Sequence, residues 1–464
     1  MGKGEETLKK WLKDMREKAG LKSDHAAQVL TLFFLLVIAM GTVLLHFPAA
    51  SRNGESCSWL TAIFTATSCT CVTGLSTVDT FTQWSFFGQA VLLGLIQIGG
   101  LGYMTFVSVF FFALRRRIGL RERLIIQQAM SLGELAGIIR LVRLMVFGTF
   151  LVEGIGALIL SLRFTGLLPL PEAIWYGVFH SVSAYCNAGF DLFGMISPGS
   201  SLMAFVADPV VNLTVMGLVV IGGLGFFVWN DLLMHRQARR LSVHTKLVLV
   251  TTAVCLFGGT ILIAAVEWNN PLTLGGMSFP EKLLAALFQS CTTRTAGFYT
   301  VDQGALTGSG KLISMLLMLV GGSSGSTAGG IKTVTVAILL LASWSVMRNH
   351  KEVVVFGRRI GNDQLKSALS IALLVTMIGL SGGILVASTN GVPLGDGLYE
   401  AVSAICTVGL STGITGELNL LSKLILIIYM FFGRVGIMTI SFAFMTKTPP
   451  DNAVRRPEAR VLIG

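Results

Sequence analysis

Four short glycine turns hold the residues best suited to chemistry in this chain. Cys71-Val72-Thr73-Gly74-Leu75 recurs in altered form as Asn187-Ala188-Gly189-Phe190, Thr295-Ala296-Gly297-Phe298 and Thr407-Val408-Gly409-Leu410. The chemistry such turns support is coordination by backbone oxygen. A cation leaving water needs its hydration shell replaced, and rings of carbonyls do this. Aiming successive carbonyls to one side requires backbone angles that glycine adopts without penalty. The expected ring comprises Val72, Thr73 and Gly74; Asn187, Ala188 and Gly189; Thr295, Ala296 and Gly297; and Thr407, Val408 and Gly409. One glycine per turn predicts a short coordinating stretch with modest discrimination. Asp79, Asp191 and Asp302 follow three of the turns. They stand either as carboxylates that concentrate cations at an outer mouth or as ordinary solvated loop charge.

The elements that must position these turns repeat with them. The four glycines are 115, 108 and 112 residues apart, and such periodicity is read before anything else. Each turn follows an apolar segment of half the length needed to cross a bilayer: about 59–68, 172–185, from Pro280, and 398–405. Each is flanked by longer apolar runs, near 26–48 and 86–114, 141–164 and 205–234, 245–268 and 311–347, and 367–389 and 421–446. A spanning helix needs roughly 20 apolar residues. The expectation is an all-α integral membrane protein of four tandem units, each helix, half-helix, turn, helix, with eight spans and fourfold pseudosymmetry about one pore. Non-helical backbone at membrane depth is tolerated only where protein or a water-filled path surrounds it. The half-helices aim their C-terminal ends, the negative dipole pole, at the turns, which favours cations.

Composition agrees. The chain of 464 residues is 53% hydrophobic and 13% charged, with mean hydropathy +0.74; soluble domains carry about 25% charge. The net charge of +11 is distributed as topology, not as a nucleic-acid patch. Lysines crowd residues 3–22, arginines and lysines fill the links between units (Arg115 to Arg123, Arg236 to Lys246, Arg348 to Lys366), and Lys447, Arg455, Arg456 and Arg460 follow the last run. The opposite side has few. This positive-inside pattern puts both termini in the cytoplasm. The divisions are a tail over 1–25, unit 1 over 26–117, a connection with unit 2 over 118–235, unit 3 over 236–347, unit 4 over 348–446 and a tail over 447–464. The first apolar run is read as a permanent span. Because each unit starts and ends on the basic side, the units are parallel, which argues against an inverted-repeat transporter. Seven cysteines form no C-x-x-C pair and no His-bearing ligand set, so zinc is not expected. No catalytic constellation stands inside the spans.

Two inner features read as gates. Gly321-Gly322-Ser323-Ser324-Gly325-Ser326-Thr327-Ala328-Gly329-Gly330, followed by Lys332, breaks the second helix of unit 3, since each glycine costs about 1 kcal/mol against alanine in a helix. Arg434 stands at the equivalent level of unit 4, where units 1 and 2 have Gly99-Gly100 and Gly222-Gly223. Its side chain either opposes cation flow or pairs structurally with Glu153 or a carbonyl. Glu153, mid-span, is open to a structural or a functional role. The stretch Gly325 to Thr333 resembles a phosphate-binding loop, but Ile331 separates the last glycine from Lys332 and no strand precedes it, so nucleotide is not expected there.

With these residues in place the chain resembles the Ktr/Trk/HKT superfamily of potassium transporters, most closely its bacterial KtrB branch, over nearly all of 26–446. The resemblance rests on the four turns, especially Thr293-Arg294-Thr295-Ala296-Gly297-Phe298, the loop running into Ile331-Lys332-Thr333, and Gly433-Arg434. It implies potassium as the transported ion, often with sodium dependence, and no cofactor in this chain. It makes Gly74 a potassium-type filter position, where serine goes with sodium. It makes 321–330 an intramembrane gating loop and Arg434 a barrier. It further implies a homodimer in the bacterial plasma membrane, seated on a separate cytosolic ring of RCK-type subunits that bind ATP, ADP or NAD. Asn187-Ala188 departs from the Thr/Val pairs of turns 1 and 4 and puts even coordination around the ring in question.

Overall fold

Apolar runs with capped ends become helices here, and glycines decide where they stop. A computed structural model of the chain describes residues 23–113, 138–238, 241–350 and 352–436. The basic tail through residue 22, the link at 114–137, residues 239–240, Lys351, the end of the last apolar run at 437–446 and the tail 447–464 lie outside the described residues. Unit 1 contains α1 (Ser23–His46), the half-helix α2 (Trp59–Thr70), a short α3 (Thr80–Gln83) and α4 (Phe86–Ala113). Unit 2 contains α5 (Ile138–Phe164), the half-helix α6 (Leu170–Tyr185), α7 (Pro209–Leu224) and α8 (Phe226–Ala238). Unit 3 contains α9 (Val243–Ala253), a π turn at Val254–Gly258, α10 (Gly259–Glu267), the half-helix α11 (Phe279–Thr292), α12 (Gly308–Leu319) and α13 (Thr333–Met347). Unit 4 contains α14 (Asn362–Asn390), the half-helix α15 (Leu394–Ile405) and α16 (Leu420–Val435). A two-residue hairpin pairs Val354–Val355 with Arg358–Arg359 between α13 and α14.

Among the described residues, four helical stretches are long and apolar enough to cross a membrane: Gln28–His46, Arg143–Phe164, Val243–Glu267 and Asn362–Asn390. Each opens its unit and packs against that unit's half-helix. Small residues set the close approach: a Cβ on Gly177 of α6 would meet the Ala157 carbonyl at 2.7 Å, and one on Gly397 of α15 would meet that of Gly383 at 2.7 Å. Apolar side chains on the outward faces, such as Leu36, Phe147, Ile261 and Met377, are exposed, as a lipid-facing surface requires.

The second helices differ from the expectation. Continuous helices over 86–114, 205–234 and 421–446 are expected; the first two break at a glycine, and the described part of the third leaves helical geometry at Gly436. Gly102 inside α4 has φ 73°, Gly225 has φ 86° and bends α7 against α8 by 91°, and Gly436 has φ 93° just beyond α16. The reason is contact one turn earlier. A Cβ on Gly99, Gly222 or Gly433 would lie 2.1, 2.0 or 2.2 Å from the carbonyl of Thr70, Tyr185 or Ile405. These are the last residues of the three half-helices, so each second helix crosses its half-helix backbone to backbone just before its helical geometry breaks.

Candidate ion pathway

Each half-helix is started by its own cap and ended by the same local event. Ser58 accepts the Thr61 N–H at 3.1 Å, a proline stands in the first turn of α6, Pro393 is the N-cap of α15, and Ser278 with Glu281 forms a capping box on α11. At the other end Val72, Asn187, Thr295 and Thr407 take left-handed φ of 54°, 60°, 68° and 50°. Two residues on, Gly74, Gly189, Gly297 and Gly409 are left-handed again, at 98°, 66°, 83° and 89°. Non-glycine residues rarely adopt this conformation, so the same strained position in all four turns marks one shared geometry. Alternating hand turns successive peptide planes so that their carbonyls face one side.

The four turns meet. A Cβ on Gly74 would strike the Ala188 carbonyl oxygen at 2.7 Å, one on Gly189 that of Ala296 at 2.8 Å, one on Gly297 that of Val408 at 2.7 Å, and one on Gly409 that of Thr73 at 2.1 Å. The contacts run from each turn to the next and close on the first. The four glycines also line one cavity of about 260 Å³ together with Asp79, Asp191, Ser411 and Thr415. The turns are buried among the half-helices, and Thr73 Oγ1, Thr407 Oγ1 and Asn187 Oδ1 have no hydrogen-bond partner. Asn187 donates through Nδ2 to Thr295 Oγ1 at 3.3 Å, tying turn 2 to turn 3.

The three acids separate. Asp79 caps α3 through Thr82 N–H at 2.8 Å and takes Gly199 N–H at 3.0 Å. Asp191 takes Phe193 N–H at 3.0 Å; removal from water pushes its carboxyl up to about 7, the Phe193 bond opposes the rise and the Asp79 charge adds to it. Asp302 is exposed, accepts Gly304 N–H at 2.9 Å and is not among the residues lining the cavity.

Behind the turns, α12 and α13 are separated by the glycine-rich loop, which is held by backbone bonds. Gly321 N–H goes to the Ile331 carbonyl at 2.9 Å and Thr333 N–H to that of Gly322 at 3.1 Å. Ser323 N–H reaches the Gly223 carbonyl at 3.0 Å, and Phe226 N–H returns to Gly325 at 2.9 Å. Thr327 Oγ1 donates to the Tyr185 carbonyl at 3.1 Å. The loop also lies against turn 4, where a Cβ on Gly329 would overlap Thr407 Oγ1. Lys332 donates to the Ala328 carbonyl at 2.8 Å. Arg434 reaches from α16 to the carbonyl of Thr327 and to those of Gly99 at 2.5 Å and Gly100 at 3.1 Å. Of the two structural alternatives for this arginine, carbonyls are its partners; Glu153 is held instead by Gln97, which donates to both carboxylate oxygens at 3.2 Å.

Two sets of residues escaped the sequence reading. Ser68 and Ser403 accept the N–H of Gly74 and Gly409 at 3.1 and 3.0 Å, and Ser183 accepts that of Phe190 at 3.0 Å. In turn 3 the Thr292 hydroxyl donates to the Phe298 carbonyl. A serine six residues before three of the four glycines was the available signal. Nine residues before the glycine, Glu400 in α15 and His180 in α6 are both fully buried, and each accepts the N–H three residues past its glycine, Thr412 at 3.1 Å and Leu192 at 3.2 Å.

A family model described as cation transport protein, TrkH, matches residues 6–456. The chain belongs to this family. It is 39% identical over 437 residues to the Ktr system potassium uptake protein B of Bacillus subtilis, covering 94% of this chain and 96% of that protein. It is 37% identical over 442 residues to the potassium/sodium uptake protein NtpJ of Enterococcus hirae, covering 94% and 97%. The crystal structure of the potassium transporter TrkH from Vibrio parahaemolyticus superposes with a TM-score of 0.72 over 92% of this chain and 86% of that one, at 16% identity, a likeness of fold.

Proposed function

We propose that this member of the cation transport family is the potassium-translocating subunit of a Ktr-type uptake system. The observation that carries the reading is the closed cycle of four glycine turns, each with the same left-handed pair, opening on one cavity. Potassium sheds water at the cavity and is received by the carbonyls of the ring; the four half-helix ends add negative potential there. The four units then form a fourfold pseudosymmetric pore of eight spans, counting each broken second helix as one. The loop at 321–330 and Arg434 form the inner barrier. Arg434 binds carbonyls of two other units, a seat that supports one concerted latch over an isolated charge. The chain pairs with a second copy in the bacterial plasma membrane, termini inward, and a separate cytosolic ring of nucleotide-binding RCK-type subunits acts on the loop. The name of the Bacillus subtilis relative, protein B of a Ktr system, supports a subunit that works with other components.

The test is potential-driven rubidium and sodium uptake into liposomes holding the purified protein with its ring subunit, for wild type and Gly74→Ser. A Cβ there would crowd the Ala188 carbonyl at 2.7 Å, at φ +98°. Potassium-blocked rubidium flux with relaxed selectivity in the variant is expected. Flux with unchanged selectivity would remove Gly74 from the ion path. Equal wild-type rubidium and sodium flux would favour mixed uptake, the activity in the name of the Enterococcus hirae relative.

A further inference from the structure

Glu400 lies behind the outer cavity with no solvent exposure, and its surroundings hold too few protons. Oε1 accepts the Ser411 hydroxyl at 2.6 Å and Oε2 the Thr415 hydroxyl at 2.8 Å. The two hydroxyl oxygens are themselves 2.8 Å apart. Three short oxygen–oxygen contacts close a triangle, and each needs one proton between its atoms. Two hydroxyls supply two protons. Backbone donors do not fill the gap: Thr412 N–H goes to Oε1 at 3.1 Å and Gly413 N–H to Ser411 Oγ at 2.9 Å, neither along an edge that lacks a proton. With Glu400 ionised, one edge sets lone pair against lone pair.

One further positive charge resolves this. A proton on the carboxyl closes a ring of three hydrogen bonds. A cation against Ser411 and Thr415 does the same work, because both hydroxyls then donate to Glu400 and turn their lone pairs outward. Ser411 and Thr415 both line the cavity that the four ring glycines share. The deficit is one charge, which matches a monovalent ion. We infer that Glu400, Ser411 and Thr415 form an outer site for a partly dehydrated monovalent cation, at which the cation and a proton compete. This rests on reading the cavity as the mouth of the pathway.

The charged groups nearby do not cancel the deficit. Asp396, on the same helix, is paired with Lys311 of α12 at 2.7 Å. Tyr399 directs its hydroxyl to Gln303 at 2.8 Å. Lys423 of α16 donates to the Gly416 carbonyl at 2.7 Å, and Glu417 is exposed. Asp79 and Asp191 also line the cavity. Unit 2 has no counterpart: the matching His180 accepts the Leu192 N–H and contacts the Tyr176 carbonyl at 2.7 Å through Nδ1.

The experiment compares wild type, Glu400→Gln and Thr415→Val in the full assembly, by rubidium influx from about pH 5.5 to about pH 8.5, a range in which perturbed carboxyls titrate. Wild type should show an apparent KM that rises on acidification, by about tenfold for one unit charge near the ion, with kcat changed less. Glu400→Gln, whose amide supplies the missing donor, should keep KM raised and lose the response of about tenfold, leaving only the smaller share that Asp191 contributes; Thr415→Val, which removes two edges of the triangle, should lose the same response. Asp191→Asn is run beside them, since that carboxyl contributes its own response and should leave the Glu400 share intact. Rubidium-dependent thermal stabilisation of the same proteins reads binding without transport. Loss of that stabilisation in Glu400→Gln supports the site even if no flux is seen, an outcome that would sink only the transport reading. Wild-type KM, pH response and rubidium stabilisation in Glu400→Gln overturn the inference; if that variant does not fold, the same three results in Thr415→Val overturn it.

Discussion

In units 1, 2 and 4 the half-helix cap, Cys71, Cys186 or Cys406, stands three residues before the ring glycine; in unit 3 the cap, Thr293, stands four before it. The extra residue is Arg294, buried, with Nη2 on Thr252 Oγ1 at 3.3 Å and Nε unpartnered. Unit 3 also braces its turn by Thr292 where the others use serine, and its second helix gives way to a loop where theirs bend at one glycine. Yet its left-handed pair, Thr295 and Gly297, matches the others. The ring is therefore fixed by backbone hand and by glycine-to-carbonyl contact between turns, while the chain that delivers each turn is free to differ. Unit 3 spends that freedom on an inner segment bonded both to itself and to units 2 and 4.

Substitution at the ring should break the comparison hardest. A Cβ at position 409 would meet Thr73 O at 2.1 Å, against 2.7 Å for position 297 on Val408 O. Gly409→Ala is expected to abolish rubidium uptake and Gly297→Ala to leave a measurable remainder. Gly391→Ala is the control: its φ is +67° with nothing within 4 Å, so the substitution adds only left-handed strain of about 1–2 kcal/mol. Equal losses at 409 and 297 would mean that contact distance does not rank the turns.

The inner barrier comes next. Arg434→Ala removes bonds to three carbonyls, each charge-assisted bond contributing about 1.5–3 kcal/mol. Melting temperature should fall clearly, and flux without the cytosolic ring should rise by about tenfold, as for one opposing charge removed from the path. Lys332→Ala, losing a single bond to Ala328, should do less on both counts. An Arg434→Ala protein that loses stability with no gain in ring-free flux would reduce the arginine to a tie between units.

Much of this was legible in the sequence because glycine turns and apolar half-lengths are local signals. The half-helix ends at Tyr185 and Ile405 fall where they were read, and α15 starts at Leu394, a turn earlier than expected. What was hidden depends on register between distant segments. Gly99, Gly222 and Gly433 each lie on a half-helix carbonyl three residues before a break at Gly102, Gly225 or Gly436, a contact which no window of sequence displays. Glu400 carries no mark in the sequence, because Ser411 and Thr415 come back over it only in the fold. Asp302 looked equivalent to Asp79 and is not among the residues lining the cavity.

Removing the braces sharpens the comparison further. Ser403→Ala takes the acceptor from Gly409 N–H at 3.0 Å, a loss of about 1 kcal/mol. Thr292→Val removes the hydroxyl that reaches Phe298. Both should relax rubidium-over-sodium selectivity without stopping flux, read as the flux ratio at fixed potential. A change at 403 with none at 292 would show that the longer turn 3 holds its shape without help, and that its constraint comes from Arg294 or from Asn187 on Thr295.

The smallest effect belongs to Asp191. Its carboxyl, pushed up to about 7 by burial at the cavity, is neutral below that pH and charged above it. The sign follows: raising external pH through 7 adds one negative charge to the mouth and lowers the apparent KM for rubidium. The change should be about twofold to threefold, since a partly screened charge at the rim acts over a longer distance than one at the ring. Asp191→Asn should remove that component and keep whatever Glu400 contributes.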